Sequence, residues 1–276
     1  MERFLGLMCG AGVLPARMAD EARLRGWRVV AFTFDEAPGV AERAERVVTS
    51  RVTEFGAVLT TLQEQRISAV LFSGSFSMPN VLRADRAVVD AASWGVEERA
   101  GSRIDARLVD AIIATLGGLG VEVLDQRAFV GDWLVAAGCW SSRAPTEAEW
   151  RDVGRGLEIA RMMAEARIGQ TVVIRHGAVV AVEVVEGTTE TVRRGAALGG
   201  PGAVVVKAVA ADHDYRFDAP AVGPETLAAA VEGGVAVVAL EANRVLLFDR
   251  AETFRIADAA GIAVVGVDDT PSGSAR

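Results

Sequence analysis

Cysteine, lysine, histidine and aromatic side chains are all scarce in these 276 residues, and each shortage removes a class of explanation. Cys9 and Cys139 lie far apart with no C-x-x-C spacing, which leaves neither a disulfide framework nor a zinc ligand set and points to a reducing cytoplasm. Aromatic residues make up 6% of the chain against 51% hydrophobic, the balance of an α/β protein with an aliphatic core. All but one of the 29 basic residues are arginine, the exception being Lys207. Net charge is −8, so a broad nucleic-acid surface, which meets phosphates with clustered cations, is excluded and only local basic pockets remain. Long apolar runs are missing too. Phe4 to Met8 is too short for a signal-peptide core, and the other apolar stretches are broken by charge within about 18 residues, short of a membrane span.

What is present reads as two α/β domains. Phe4 to Met8 predicts a buried strand, followed by Cys9-Gly10-Ala11-Gly12-Val13-Leu14-Pro15 and a helix to about Arg25. Gly10 and Gly12 would let backbone N–H groups approach a phosphate at the helix N-terminus, but Pro15 stands where a dinucleotide fingerprint has its third glycine. A nicotinamide site, with Asp35 or Glu36 on the ribose, and a plain tight turn both stay open. Strands over Arg28–Phe34 and Ala69–Phe72 flank a helix at Glu54–Gln65, and the second ends at Ser73-Gly74-Ser75. This alternation predicts a parallel sheet with helices on both faces, with Gly12 and Gly74 on its ligand-binding rim. A helix over Arg107–Leu116, stopped by Gly117, Gly118 and Gly120, and a strand at Val121–Leu124 complete a first domain ending at 132.

After a linker at 133–145, Thr146 predicts a helix cap, with Glu147 and Glu149 in the first turn and helical spacing at Val153, Leu157, Ala160 and Met163. Val172–Ile174 and Ala178–Val185 read as a hairpin turned through Arg175-His176-Gly177. Strands follow at Ala203–Val206, Val235–Leu240, Val245–Phe248 and Ile262–Val267, with helices at Pro224–Val231 and Glu252–Ala260. This second domain spans 146–269, and 270–276 reads as a disordered tail. The stretch Arg167–Gly223 gathers the densest set of isolated polar groups. Glu183 and Glu186 interrupt an apolar strand, which implies either structural ion pairs or a ligand site. Asp212, His213 and Asp214 invite a metal reading, although three adjacent side chains do not easily converge on one ion, and His176 belongs to the turn.

Read together, Gly10-Ala11-Gly12-Val13-Leu14-Pro15, Ser73 to Pro79, Pro145-Thr146, Asp152-Val153, Ile168-Gly169-Gln170, Ala181-Val182-Glu183, Glu186-Gly187-Thr188, Val206-Lys207 and Arg216 to Gly223 resemble the UDP-2,3-diacylglucosamine pyrophosphatases of lipid A biosynthesis, of the LpxI type. The resemblance covers nearly the whole chain. It implies a Rossmann-like N-terminal domain, a C-terminal α/β domain carrying the catalytic motif, and a homodimer. It also implies hydrolysis of a UDP-linked acylated glucosamine to UMP and a lipid sugar phosphate, assisted by magnesium or manganese, in the cytoplasm or on the inner membrane surface. The residue it makes necessary for turnover is Asp218, as metal ligand or orienter of water; a turn cap is the plainer reading. Glu183 and Glu186 would join it on the metal. Lys207 and Arg216 suit phosphate oxygens, or ordinary ion pairs, and Gln170 and Thr188 suit uracil, ribose or phosphate, or turns.

The chain departs from the family pattern at four places. Arg167 stands where Asp is usual, Thr189 replaces an Asp, Ala57 a Lys, and Arg103-Ile104-Asp105 a Gly-Asp-Asp. These changes support an alternative, a divergent protein that binds a nucleotide-sugar or phospho-ligand without hydrolysing it.

Overall fold

The computed structural model describes residues 3–76, 83, 85, 88–101 and 106–268. The chain divides into two compact units, Met1–Gly131 with Asp214–Ala219, and Asp132–His213 with Pro220–Arg276. Ser77 to Pro79, Arg103-Ile104-Asp105 and the tail lie outside the described residues.

In the first unit, β1 (Arg3–Cys9) leads into α1 (Leu14–Leu24), β2 (Trp27–Thr33), β3 (Arg46–Thr49), α2 (Phe55–Glu64) and β4 (Ala69–Ser73). Then come α3 (Ala91–Ala100), α4 (Ala106–Gly118), β5 (Glu122–Val123) and the short α5 (Arg127–Val130). The five strands run parallel in the order β3-β2-β1-β4-β5, the Rossmann-like half in which the strand order, not the strand direction, switches sides between β1 and β4. Met8, Val30, Phe32, Val70 and Phe72 pack on one face against Val58 and Leu62 of α2 and Leu116 of α4. Two elements here were not legible in sequence. Strand β3 is mostly exposed at the sheet edge, and α3 has little amphipathic pattern; its start is fixed by Asp90, which accepts from Ser93 N at 2.7 Å. Helix α4 runs through Gly117 and Gly118, which do not stop it.

The second unit contains β6 (Gly138–Cys139), α6 (Glu147–Glu165), β7 (Thr171–Arg175), β8 (Ala178–Val182), α7 (Thr188–Gly199), β9 (Val204–Lys207), β10 (Ala221–Val222), α8 (Pro224–Glu232), β11 (Val237–Glu241), β12 (Leu246–Leu247), α9 (Arg250–Ala260) and β13 (Ala263–Val267). Its six-stranded sheet has the order β6-β13-β11-β9-β7-β8, with β9, β11 and β13 parallel and the others antiparallel to their neighbours. Val153, Leu157 and Ala160 of α6 cover one face, and Val192, Ala196, Leu227 and Ala257 of α7, α8 and α9 the other. Thr146 and Glu149 form a full capping box at the start of α6. The β7–β8 turn places His176 and Gly177 at φ 51° and 76°, the pair of positive values a two-residue hairpin turn requires.

Three expectations change. The stretch 133–145 is built into the second unit rather than left as a linker, since β6 pairs with β13 and Leu134 bridges to Leu246. The polar run Thr188–Gly199, unassigned from sequence, is helix α7 with one buried stripe. The segment Asp214–Ala219, expected within the C-terminal domain, belongs to the first unit because Tyr215 and Phe217 pack there.

Candidate active site

At the rim of the first sheet, β1 and β4 approach backbone to backbone. Gly10 N donates to Ser73 O at 2.8 Å, Ala11 N to Ser75 O at 2.7 Å, and Gly12 N to Glu36 O at 3.0 Å. A Cβ on Gly10 would lie 2.6 Å from Ser75 O, and one on Gly74 would lie 2.8 Å from Ala11 O. The glycines are therefore needed for this close approach. The amides of Gly10, Ala11 and Gly12 themselves donate to carbonyls within this unit. Cys9, at the same strand end, is buried, and burial pushes its thiol up to about 12.

The Asp214–Ala219 segment rests on this unit. Phe217 lies 4.8 Å from Phe72 and 6.2 Å from Phe76, ring centroid to centroid. Tyr215 O accepts from Gln126 N at 3.0 Å, and Arg127 stands 4.4 Å over the Tyr215 ring. Arg216 makes a forked pair with Asp214 at 2.8 and 3.0 Å, which holds its guanidinium above its usual range. The parallel pair Arg127–Asp125 holds the Asp125 carboxyl below the usual carboxylate range. Asp218, between Phe217 and Ala219, is exposed. Arg216 is thus tied to a carboxylate rather than unpaired.

In the second unit Glu183, Thr188 and Lys207 come together with Thr171. Lys207, the chain's lysine, ends β9 and is buried, with Nζ 2.8 Å from Thr188 Oγ1 and 3.6 Å from Glu183 Oε2. Thr188 Oγ1 in turn donates to Glu183 Oε1 at 3.0 Å. Gly169 makes room for this arrangement, because a Cβ there would fall 2.0 Å from Glu183 O. Gln170 takes part through its carbonyl, which accepts from Ala208 N at 2.9 Å. Glu186 lies apart from this cluster. Burial would raise its carboxyl, but hydrogen bonds from Arg194 and Thr191 outweigh that and hold it below the usual range.

These pairings test the expected metal set. Glu183 Oε2 lies 3.6 Å from Lys207 Nζ, and Glu186 pairs with Arg194. Each of the two carboxylates faces a protein cation, as the ion-pair reading expects, and Glu183 Oε2 is at the same time a buried oxygen with no hydrogen-bond partner among the described residues. Among the described residues no three His, Cys, Asp or Glu side chains group as a metal would need.

The models of the LpxI N-terminal and C-terminal domains match residues 4–133 and 136–265. A UDP-2,3-diacylglucosamine pyrophosphatase LpxI of Caulobacter vibrioides is 30% identical over 279 residues, covering 96% of this chain and 98% of that protein. The chain belongs to the LpxI family. Likeness to solved structures is slight. UDP-glucose-4-epimerase of Stenotrophomonas maltophila, with bound NAD, is 16% identical at a TM-score of 0.29, covering 44% of this chain and 35% of the epimerase. Glycinamide-RNase-transformylase T of Mycobacterium tuberculosis is 16% identical at a TM-score of 0.25, covering 66% and 44%. Neither carries an argument.

Two of the departures of this LpxI chain find partners. Arg167, at φ 57° just after α6, pairs with Asp212 at 2.9 Å, and the Thr189 hydroxyl lies 3.1 Å from that of Thr226. Sequence reasoning missed Glu241, Arg161 and Arg244. Their signal was a carboxylate ending the apolar run Val235–Leu240. It also left Asp152 without a role, although this side chain accepts from His176 N at 3.0 Å and Gly177 N at 2.7 Å and so fixes the hairpin turn.

Proposed function

We propose that this LpxI-family protein hydrolyses the pyrophosphate of UDP-2,3-diacylglucosamine, or a closely related UDP-sugar lipid, to UMP and the lipid sugar 1-phosphate. The observation that carries this reading is the match to the named Caulobacter relative along nearly the full length of both chains. Pyrophosphate hydrolysis needs an oriented water and neutralisation of charge on the phosphate oxygens, with little covalent work by the protein. In this reading the exposed Asp218 carboxylate accepts a hydrogen bond from the attacking water and directs it at the nucleotide-side phosphorus. Arg216, held in place by Asp214, lies two residues away on the same segment. The buried Lys207–Thr188–Glu183 network fixes the start of α7 against the carboxyl end of β9, and Gln170 supports the adjoining loop through its backbone.

The reading brings a divalent cation with it, magnesium or manganese, whose contribution when bound is to neutralise phosphate oxygens. Homodimer formation, a cytoplasmic setting and weak association with an inner-membrane surface belong to the same proposal. Among the described residues no helix is long and apolar enough to cross a membrane.

The test is release of UMP from UDP-2,3-diacylglucosamine by wild type and Asp218→Ala, with magnesium and with chelator. Turnover by wild type alone supports the reading. A folded wild type that binds the substrate without releasing UMP would instead support the non-hydrolysing alternative, which the cations beside Glu183 and Glu186 favour.

A further inference from the structure

Four of the chain's ten phenylalanines meet at the carboxyl rim of the first unit's sheet. Phe34 follows β2, Phe72 lies on β4, and Phe76 comes just after that strand. The Phe76 ring centroid lies 5.7 Å from that of Phe34 and 6.1 Å from that of Phe72, and Phe217 joins the group through both Phe72 and Phe76. The glycine-built rim places Phe76. Ala11 and Ser75 exchange backbone bonds at 2.7 and 3.0 Å, which fixes the residue before it.

Asp218 follows Phe217 directly. A trans peptide holds their Cα atoms about 3.8 Å apart, so the seat of the Phe217 ring governs where the next residue stands. The turn's own backbone restrains it weakly, because Phe217 N and Asp218 N both donate to Asp214 O at 3.4 Å, longer than the ~2.7–3.2 Å of a good bond. The Arg216–Asp214 fork is internal to the segment and does not tie it to the sheet. Tyr215 is tied down, with its side chain buried, Arg127 over its ring and its carbonyl bonded to Gln126 N. Beyond Tyr215, the Phe217 ring carries the contact with the sheet.

We propose that Phe217 and Phe76 are positioning residues, which set where Asp218 stands on the first unit by seating its neighbour in the phenylalanine group. This rests on the hydrolytic reading of Asp218 given above. Loss of either ring leaves a gap that the loosely bonded turn shifts to fill, and Asp218 moves with it. A displacement of about 1 Å at a reacting group is enough to cost roughly a hundredfold in rate.

The test is steady-state UMP release by wild type, Phe217→Leu, Phe76→Leu and Asp218→Ala, with backbone amide exchange of the folded proteins. Phe217→Leu removes the ring beside Asp218, and Phe76→Leu removes its stacking partner without touching the segment. The expected result is a fall in kcat of about ten- to a hundredfold for Phe217→Leu and about three- to tenfold for Phe76→Leu, with KM within about threefold. Amide exchange should quicken at 215–218 and stay unchanged in β1. An unchanged kcat in either folded variant, a loss lying wholly in KM, or faster exchange throughout β1 and β4 would overturn the inference while leaving Asp218 intact. Wild-type turnover by Asp218→Ala, or none by the wild type, would instead overturn the reading beneath it.

Discussion

The two units bury polarity in different ways. Among the described residues, the polar side chains buried in the first unit are Ser50, Ser73, Ser93, Gln126 and Tyr215, none of them a carboxylate or a basic group. The second buries three carboxylates and a lysine, Asp152, Glu183, Glu241 and Lys207. The first brings its strand ends together by removing side chains, with Gly10 set against the backbone at Ser75. In the second, each buried charge lies near the end of a strand or helix and holds a turn, a loop or a helix start. Asp152 holds the hairpin, Glu241 the 208–211 loop, and Glu183 with Lys207 the N-terminus of α7. A buried charge beside a suspected site is thus not by itself a ligand contact: here the same residues do structural work that a sequence pattern reads as chemistry.

The largest expected effect comes from breaking the second unit's pairing. Lys207→Met leaves Glu183 buried without its cation and should destabilise the protein by about 3–5 kcal/mol in urea unfolding. The double variant with Glu183→Gln should recover much of that loss. A single-variant loss below about 1 kcal/mol would mean that Glu183 is solvated or paired elsewhere, and the contrast between units would weaken.

The corresponding break in the first unit is steric. Gly10→Ala places a methyl 2.6 Å from Ser75 O, so the β1–β4 rim must shift. A loss of about 1–3 kcal/mol is expected, with faster amide exchange at residues 10–12 and 73–75. Exchange confined to the second unit would contradict this placement.

The smallest effect sharpens the comparison through pH. Burial tends to raise the Asp90 carboxyl, but bonds from the backbone N–H of Ser93 and Gly56 outweigh it and hold the group below its usual range. A depressed folded value means that Asp90 adds stability above its unfolded value of about 4, and that this is lost as pH falls through the lower folded value. Asp90→Asn, which keeps a capping side chain, should cost roughly 0.5 kcal/mol at pH 7 and flatten the stability slope below pH 5. An unchanged slope would show that Asp90 is not bonded as described.

Much of the fold was legible from period and punctuation. The glycine turn after β1, the hairpin at His176-Gly177 and the cap at Thr146 each follow from local backbone requirements, and each stands where the pattern put it. The misses have physical causes. Helix α7 went unassigned because Thr188 to Arg194 holds few apolar residues, and its stripe is made of small ones such as Gly195 and Ala196. The edge strand β3 lacks a buried face to write into its sequence.

The candidate site was legible as a set of residues but not as an arrangement. Lys207, Glu183 and Thr188 were recognisable as chemically unusual in their surroundings, and their family motifs lie in order along the chain. Sequence order fixed strand periodicity, helix caps and turns, because these depend on neighbours within a few residues. Pairing of Lys207 with Glu183, the grip of Glu241 on a loop some thirty residues away, and the transfer of Asp214–Ala219 to the first unit were decided only by tertiary structure. Burial determines which charges must find partners, and no local pattern states which distant partner lies within reach.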